Sequence, residues 1–306
     1  MQVEKLFSTI DTHVAGEPFR IIINSPMTLD VDVMTLNPEA IDQKFKHVKD
    51  LLLNEPRGYQ GMNGCIVMPS KTADYACLFV QHGHKAAFTY SGLVATITAL
   101  LETGNIAKHD NQVYQIETVY GIYSIEAVLE HYEVRCTRFA CGECQVIDSN
   151  KNFKTVQIDG SRQYLMYTLP DSIPSISMEH LSAIMKWGKQ TTQEIRKQHA
   201  FAGIILTEPV SMEDHAAVRS VTFKKDGSIL RSPGADSTFA ILEAWLQESS
   251  HITTLTNQSI FNSTMTAELT NGTNHRFSME TQAFVTGMNQ FIADQTDPLQ
   301  HGFLLK

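Results

Sequence analysis

The sequence predicts an α/β (α+β) protein of two similar domains, each a sheet wrapped round one central helix. Three observations carry that expectation. Short apolar, strand-like runs alternate with helical patterns along the whole chain. Two segments, LVATITALLE (93–102) and STFAILEAWL (237–246), are apolar nearly all round, as in helices buried on every side. These segments lie about 140 residues apart, and each follows a strand pattern and a Ser/Gly-type turn. The length of 306 residues suits two domains of ordinary size. No linker rich in Pro, Gly or Ser divides the halves. The boundary is expected at 1–135 and 136–279, with the C-terminal segment 280–306 a candidate to join the first domain.

The elements can be justified in order. FRIII (19–23), CIVM (65–68) and ACLFV (76–80) are apolar runs of strand length. Between the first two, Asn37 can cap a helix that has Pro38 in its first turn. Ile41, Phe45, Val48 and Leu52 mark one face of that helix at spacings of four and three. The first apolar helix starts near Ser91 and ends before Gly104, a residue suited to a C-cap. Residues 112–136 alternate with period two, as strands do. Met178, Leu181, Met185 and Ile195 mark an amphipathic helix over 177–198, with Ser175 or Ser177 as its cap. Asp226-Gly227 between Val221–Phe223 and Ile229–Leu230 is a hairpin signal. The second apolar helix follows Ser232-Pro233-Gly234.

Composition excludes several function classes. At 42% apolar and 19% charged, the chain can bury a large core, which excludes general disorder. The net charge of −9, with no Lys/Arg run, argues against a general nucleic-acid binder. No stretch approaches the ~18 apolar residues of a membrane span. MQVEKLFSTI lacks the long apolar stretch of a secretory signal. The five cysteines, Cys65, Cys77, Cys136, Cys141 and Cys144, are an odd, sparse set, which points to reduced thiols and a cytoplasmic protein.

Five stretches carry a resemblance: DTHVAGEPFR (11–20), EPRG (55–58), YSGLVATITALLETG (90–104), RSPGADSTFA (231–240) and AFVTGMNQFIADQTDPLQHGF (283–303). In this order, over nearly the whole chain, they resemble the proline racemase family, which includes hydroxyproline epimerases and trans-3-hydroxyproline dehydratases. The resemblance implies a diaminopimelate-epimerase-like fold with an active site in an interdomain cleft, no cofactor, no metal, and a homodimer. It implies two thiols facing opposite sides of an amino acid's Cα, one removing the proton and the other returning it. Helix N-termini suit both tasks, because they lower a thiol's pKa and hold a carboxylate.

The thiol-bearing stretches of that family read Met-Cys-Gly-His-Gly and Asp-Arg-Ser-Pro-Cys-Gly-Thr-Gly-Thr. Here the first reads Tyr90-Ser91-Gly92-Leu93-Val94, so Ser91 stands at the thiol and Leu93 at the histidine. The second reads Leu230-Arg231-Ser232-Pro233-Gly234-Ala235-Asp236-Ser237-Thr238. Gly234 stands at the second thiol, and Leu230 at the aspartate that meets the substrate amine. The resemblance therefore makes Gly92, Leu93, Leu230, Gly234, Ala235 and Asp236 candidate substrate-binding positions. Ser91 is the candidate catalytic residue, with Asp236 and His84 as further candidates. A serine needs a neighbouring activator, and His82 and His84 lie just upstream. The plainer accounts of Ser91 and Asp236 are helix N-caps.

Two other constellations have ligand-like spacing. Cys136-x4-Cys141-x2-Cys144, with His131 nearby, could hold iron–sulfur or zinc; three unpaired thiols near a turn are the plainer account. His82-Gly83-His84 would put two rings on one strand face, with no third ligand in view. His13 is expected to be structural. Three functions remain: a family member without racemase activity that binds a small carboxylate, an amino or imino acid, or a partner; a cofactor-independent dehydratase or isomerase using Ser91; and an ordinary proline or hydroxyproline racemase or epimerase. The four replaced positions favour the first.

Overall fold

A computed structural model describes residues 3–24, 33–82, 87–213, 215–270 and 276–304. The chain clusters into two units, Met1–Thr137 with Gln282–Lys306, and Arg138–Thr281. Sixteen strands and five α-helices lie among the described residues.

In the first unit the apolar runs become β2 (Glu17–Asn24), β3 (Asn63–Met68) and β4 (Tyr75–Val80). With them stand β1 (Val3–Val14), β5 (Val113–Thr118), β6 (Gly121–Glu130) and β16 (Ala283–Asp294). In the order β16-β1-β2-β3-β4-β5-β6 the pairings are antiparallel, antiparallel, parallel, antiparallel, parallel and antiparallel. The chain then enters β7 (Glu133–Ala140), which leads into the second unit.

The second unit repeats that series. Its strands are β8 (Cys144–Ser149), β9 (Lys154–Ile158), β10 (Arg162–Thr168), β11 (Gly203–Ser211), β12 (His215–Phe223), β13 (Thr254–Ser259), β14 (Thr264–Leu269) and β15 (Phe277–Thr281). From β8 to β14 the pairings run through the same six directions. The C-terminal strand β16 thus fills in the first unit the place that β8 fills in the second.

A parallel pair needs a crossover, and helices supply it. The crossover from β4 to β5 is α3 (Tyr90–Glu102), and that from β12 to β13 is α5 (Ala235–Glu248). Every residue from Tyr90 to Leu101, and from Ala235 to Leu246, is buried. Helix α3 meets β1, β2, β3, β4, β6 and β16, while α5 meets β8, β9, β10, β13 and β14. A helix enclosed by sheet has no wet side, which explains the apolar composition all round. Gly104 follows α3 at φ +71°, as a C-terminal glycine does. No helix among the described residues is long and apolar enough to cross a membrane.

Two helical expectations need correction. The helix from Pro38 is two helices, α1 (Pro38–Lys44) and α2 (Lys46–Leu53), separated at Phe45. Asn37 does cap it, Oδ1 accepting from Ala40 N at 2.8 Å. Ile41, Phe45, Val48 and Leu52 are all fully buried against Ile22, Ile66 and Leu78, so their spacing hid the break. The helix expected over 177–198 is a 3-10 turn at Met178–His180 followed by α4 (Leu181–Ile195), and neither Ser175 nor Ser177 caps α4. Met178 is exposed, and the deepest stripe of α4 is Ile184, Gly188 and Thr192. A pattern of large apolar residues misses that stripe because two of its members are small or polar. Gly188 lies where an added Cβ would be 2.0 Å from the Phe223 ring, so the close approach requires glycine. The Asp226-Gly227 hairpin is present, with Phe223 bridged to Ile229.

Candidate functional site

The candidate residues form two clusters, one at the start of each central helix, and each belongs to its own unit. At α3 the capping position is Thr89, in extended backbone and making no side-chain cap. The N-cap account of Ser91 is therefore corrected: Ser91 is the second helical residue and is 5% exposed. Gly92 follows, where a Cβ would be 2.7 Å from Phe79 Cε1. Leu93 is fully buried and belongs to the core. Beside this turn Phe88 stacks on Tyr123 at 4.4 Å and meets Tyr90 edge-on at 4.8 Å.

Two of this unit's three thiols, Cys65 and Cys77, lie beside the same turn. Cys65 Sγ is 3.8 Å from the Gly92 carbonyl, and Cys77 Sγ is 3.7 Å from Thr96 Oγ1, which donates to that carbonyl at 2.7 Å. Both cysteines are fully buried. Burial, then the hydrogen bond with Cys65, holds the Cys77 thiol well above its ordinary pKa. Of the histidines singled out, His84 lies outside the described residues. His82 places Nε2 3.2 Å from the Tyr59 carbonyl. His13 accepts from Gly16 N at 3.4 Å and stacks on Phe284.

At α5 the capping residue is Gly234, with φ +79° and ψ +128°. That backbone is open to glycine and strained for any residue with a Cβ. A Cβ there would also stand 3.1 Å from Leu230 Cδ1. Leu230 is half-buried, its N–H donating to the Thr222 carbonyl at 2.8 Å. Thr238 Oγ1 donates to the Gly234 carbonyl at 2.7 Å and accepts from Asn257 Nδ2 at 3.1 Å.

Ala235 is buried and Asp236 lies in the first turn, so Asp236 is not the cap residue either. Its carboxylate accepts from Arg162 Nε at 2.7 Å, from Arg162 Nη2 at 3.0 Å and from the Tyr164 hydroxyl at 3.0 Å. Arg162 Nη2 also donates to Asp159 at 2.7 Å. Burial works against the Arg162 charge, but the Asp236 and Asp159 carboxylates outweigh it and hold the guanidinium above its ordinary pKa. Burial, then the Asp236 charge, pushes the Tyr164 hydroxyl up as well, so it remains a donor. Reading the sequence missed Arg162, Tyr164 and Asp159. Asp159-Gly160 marks a turn, but nothing local points to a partner at 236.

The remaining cysteines do not come together as three. Cys141 Sγ and Cys144 Sγ are 3.5 Å apart and buried, while Cys136 is half-buried in β7. Among the described residues no group of three or more His, Cys, Asp or Glu side chains is placed to hold a metal ion.

The proline racemase family model matches residues 9–304. A trans-3-hydroxy-L-proline dehydratase of Bacillus thuringiensis subsp. konkukian is 27% identical, over 100% of each chain. Two solved structures share the fold. One is a probable proline racemase from Agrobacterium radiobacter K84 with bound carbonate, with a TM-score of 0.82 and 20% identity over 98% of this chain and 96% of that one. The other is a hydroxyproline epimerase from Agrobacterium vitis with bound trans-4-hydroxy-L-proline, with a TM-score of 0.80 and 21% identity over 100% of this chain and 96% of that one.

Proposed function

The chain belongs to the proline racemase family, and from that premise we propose that it binds a small carboxylate, amino or imino acid without two-thiol racemase chemistry. The observation that carries this reading is the pair of helix starts. Ser91 lies in the first turn of α3, Gly234 caps α5, and all five cysteines lie elsewhere. Racemisation needs a proton acceptor on one face of Cα and a donor on the other. Position 234 has no side chain to serve as either. Asp236, two residues on, is held by Arg162 and Tyr164. Carboxylate binding survives this loss, because it draws on backbone N–H groups at a helix start. Neither α3 nor α5 spends those groups on a side-chain cap from its N-cap residue.

A thermal-shift series with L-proline, 4-hydroxyproline, 3-hydroxyproline and simple carboxylates tests binding. A ligand at a hundred times its Kd stabilises the folded chain by about 2.7 kcal/mol, which moves the midpoint by degrees. The same ligands in heavy water test the chemistry. The expected outcome is a raised midpoint with no deuterium uptake at Cα of proline or 4-hydroxyproline. Steady uptake with loss of optical rotation would sink the proposal and restore the ordinary racemase or epimerase.

The 27% identity with a trans-3-hydroxy-L-proline dehydratase favours one second reading, a one-sided elimination. A neighbouring base would take the Ser91 hydroxyl proton as Ser91 takes the Cα proton of a 3-hydroxyproline; the base would then pass its proton to the C3 hydroxyl, which leaves as water while the Cα–H electron pair forms the C2–C3 double bond. That reading predicts loss of 3-hydroxyproline by the native chain and none by Ser91→Ala.

A further inference from the structure

Cys141-Gly142-Glu143-Cys144 joins the end of β7 to β8, and its two sulfur atoms, 3.5 Å apart, have no part in the function proposed above. Cys141 is 3% and Cys144 2% exposed. A disulfide needs about 2.05 Å between the sulfurs, so closure asks for roughly 1.5 Å of movement. Neighbours hold the turn in place. Cys141 N donates to the Phe277 carbonyl at 2.9 Å, Asp159 N donates to the Glu143 carbonyl at 3.0 Å, and Gly142 N donates to Asp159 Oδ1. Gly142 permits that last approach, since a Cβ there would be 2.8 Å from the same carboxylate oxygen.

We propose that Cys141 and Cys144 are a reversible dithiol–disulfide site whose state is transmitted to the start of α5 through Asp159, Arg162 and Asp236. The oxidant is a two-electron peroxide such as hydrogen peroxide. One sulfur attacks a peroxide oxygen, the O–O bond breaks, and a sulfenic acid and one water result. The second sulfur then attacks the first, the S–O bond breaks, and a second water leaves. The sum is two thiols and one peroxide giving one disulfide and two waters. The contact with Cys141, then burial, raises the Cys144 thiol above its ordinary pKa, and either sulfur of the 3.5 Å pair can make the first attack. Transmission follows from the contacts. Asp159 receives Gly142 N on one oxygen and Arg162 on the other, and Arg162 grips both oxygens of Asp236 in the first turn of α5. Tightening the Cys141–Cys144 turn therefore pulls on a continuous chain of charged groups.

The test uses the intact chain and needs no variant for its first arm. The protein is treated with dilute hydrogen peroxide, denatured with an alkylating agent, and mapped by mass spectrometry. The expected result is one peptide link, Cys141 to Cys144, with two hydrogens lost and dithiothreitol reversing it. Amide exchange at Ala235–Thr238 should change several-fold between the two states. Asp159→Asn should keep the disulfide and lose most of that change. Cys144→Ser should lose both. The proposal is overturned by oxidation that links other cysteines, by exhaustive treatment that links none, or by a Cys141–Cys144 link that leaves exchange at 235–238 unaltered.

Discussion

Asp236 shows how a residue's meaning changes once its partners are known. As a lone carboxylate near a helix start, it is a candidate base. Gripped by Arg162 on two oxygens and by Tyr164, it is one half of a buried ion pair. Removing one partner of such a pair costs about 3–5 kcal/mol, because the other charge stays buried. Asp236→Leu should lose stability on that scale in urea titration, and Asp236→Leu with Arg162→Met should recover only part of it, because Asp159 then loses its arginine. A single-variant loss below about 1 kcal/mol would show that Asp159 alone satisfies Arg162. Gly234 carries a second prediction. Gly234→Cys restores the family's residue type, yet the positive φ makes it strained by about 1–3 kcal/mol. The variant should melt earlier and gain no Cα exchange of proline. The glycine was plain in the sequence; the backbone that demands it was not.

Among the elements, α4 and β10 depend on small and aromatic residues at close quarters. Gly188 sits against Phe223, and overpacking a filled core costs about 1–3 kcal/mol. Gly188→Ala should lower the thermal midpoint, and the double variant with Phe223→Leu should regain part of the loss. Tyr167 on β10 meets Trp187 edge-on at 5.4 Å and lies near Phe153. Burial, with the Glu194 charge adding, pushes its hydroxyl up to about 12 from 10.0. The folded state thus favours the neutral phenol. Its stabilising share is complete below pH 10 and is lost as pH climbs through about 12. Urea midpoints should fall across that window, and Tyr167→Phe should flatten the fall. The helix α4 was legible because its hydrophobic period is local, whereas β10 drew no expectation from the sequence. The Phe45 break was not legible, because the large apolar residues keep helical spacing across it, and neither was the Ile184–Gly188–Thr192 stripe, because two of its members are small or polar.

At the scale of the whole molecule, one topology occurs twice, and β16 is the odd member. It comes from the end of the chain and pairs with β1 from Val3↔Asp294 to Val14↔Ala283. Beyond it the tail is tied back: Arg57 pairs with Asp297, Asn54 Nδ2 donates to the His301 carbonyl at 3.1 Å, and Glu55 and Phe303 exchange backbone hydrogen bonds. A chain ending at Thr281 should therefore lose exchange protection along β1 and α3, while β9 to β14 stay protected. Hydrogen exchange read by mass spectrometry checks this. Native protection of β1 in the shortened chain would show that β16 is dispensable.

The sequence by itself determined that two helices would be buried on all sides, that the runs at 19–23, 65–68 and 76–80 would be strands, and which family the chain belongs to. It also determined that Ser91 and Gly234 open the segments where the family's thiols are expected. These features are carried by neighbours a few residues apart. The tertiary structure alone decided that Asp236 answers Arg162 and Tyr164, that Gly234 has a backbone strained for other residues, and that Cys141 and Cys144 face each other beside Asp159. Hydrogen-bond and ion-pair partners many residues apart leave no periodic trace, because the chain brings them within reach only when the core around them has formed.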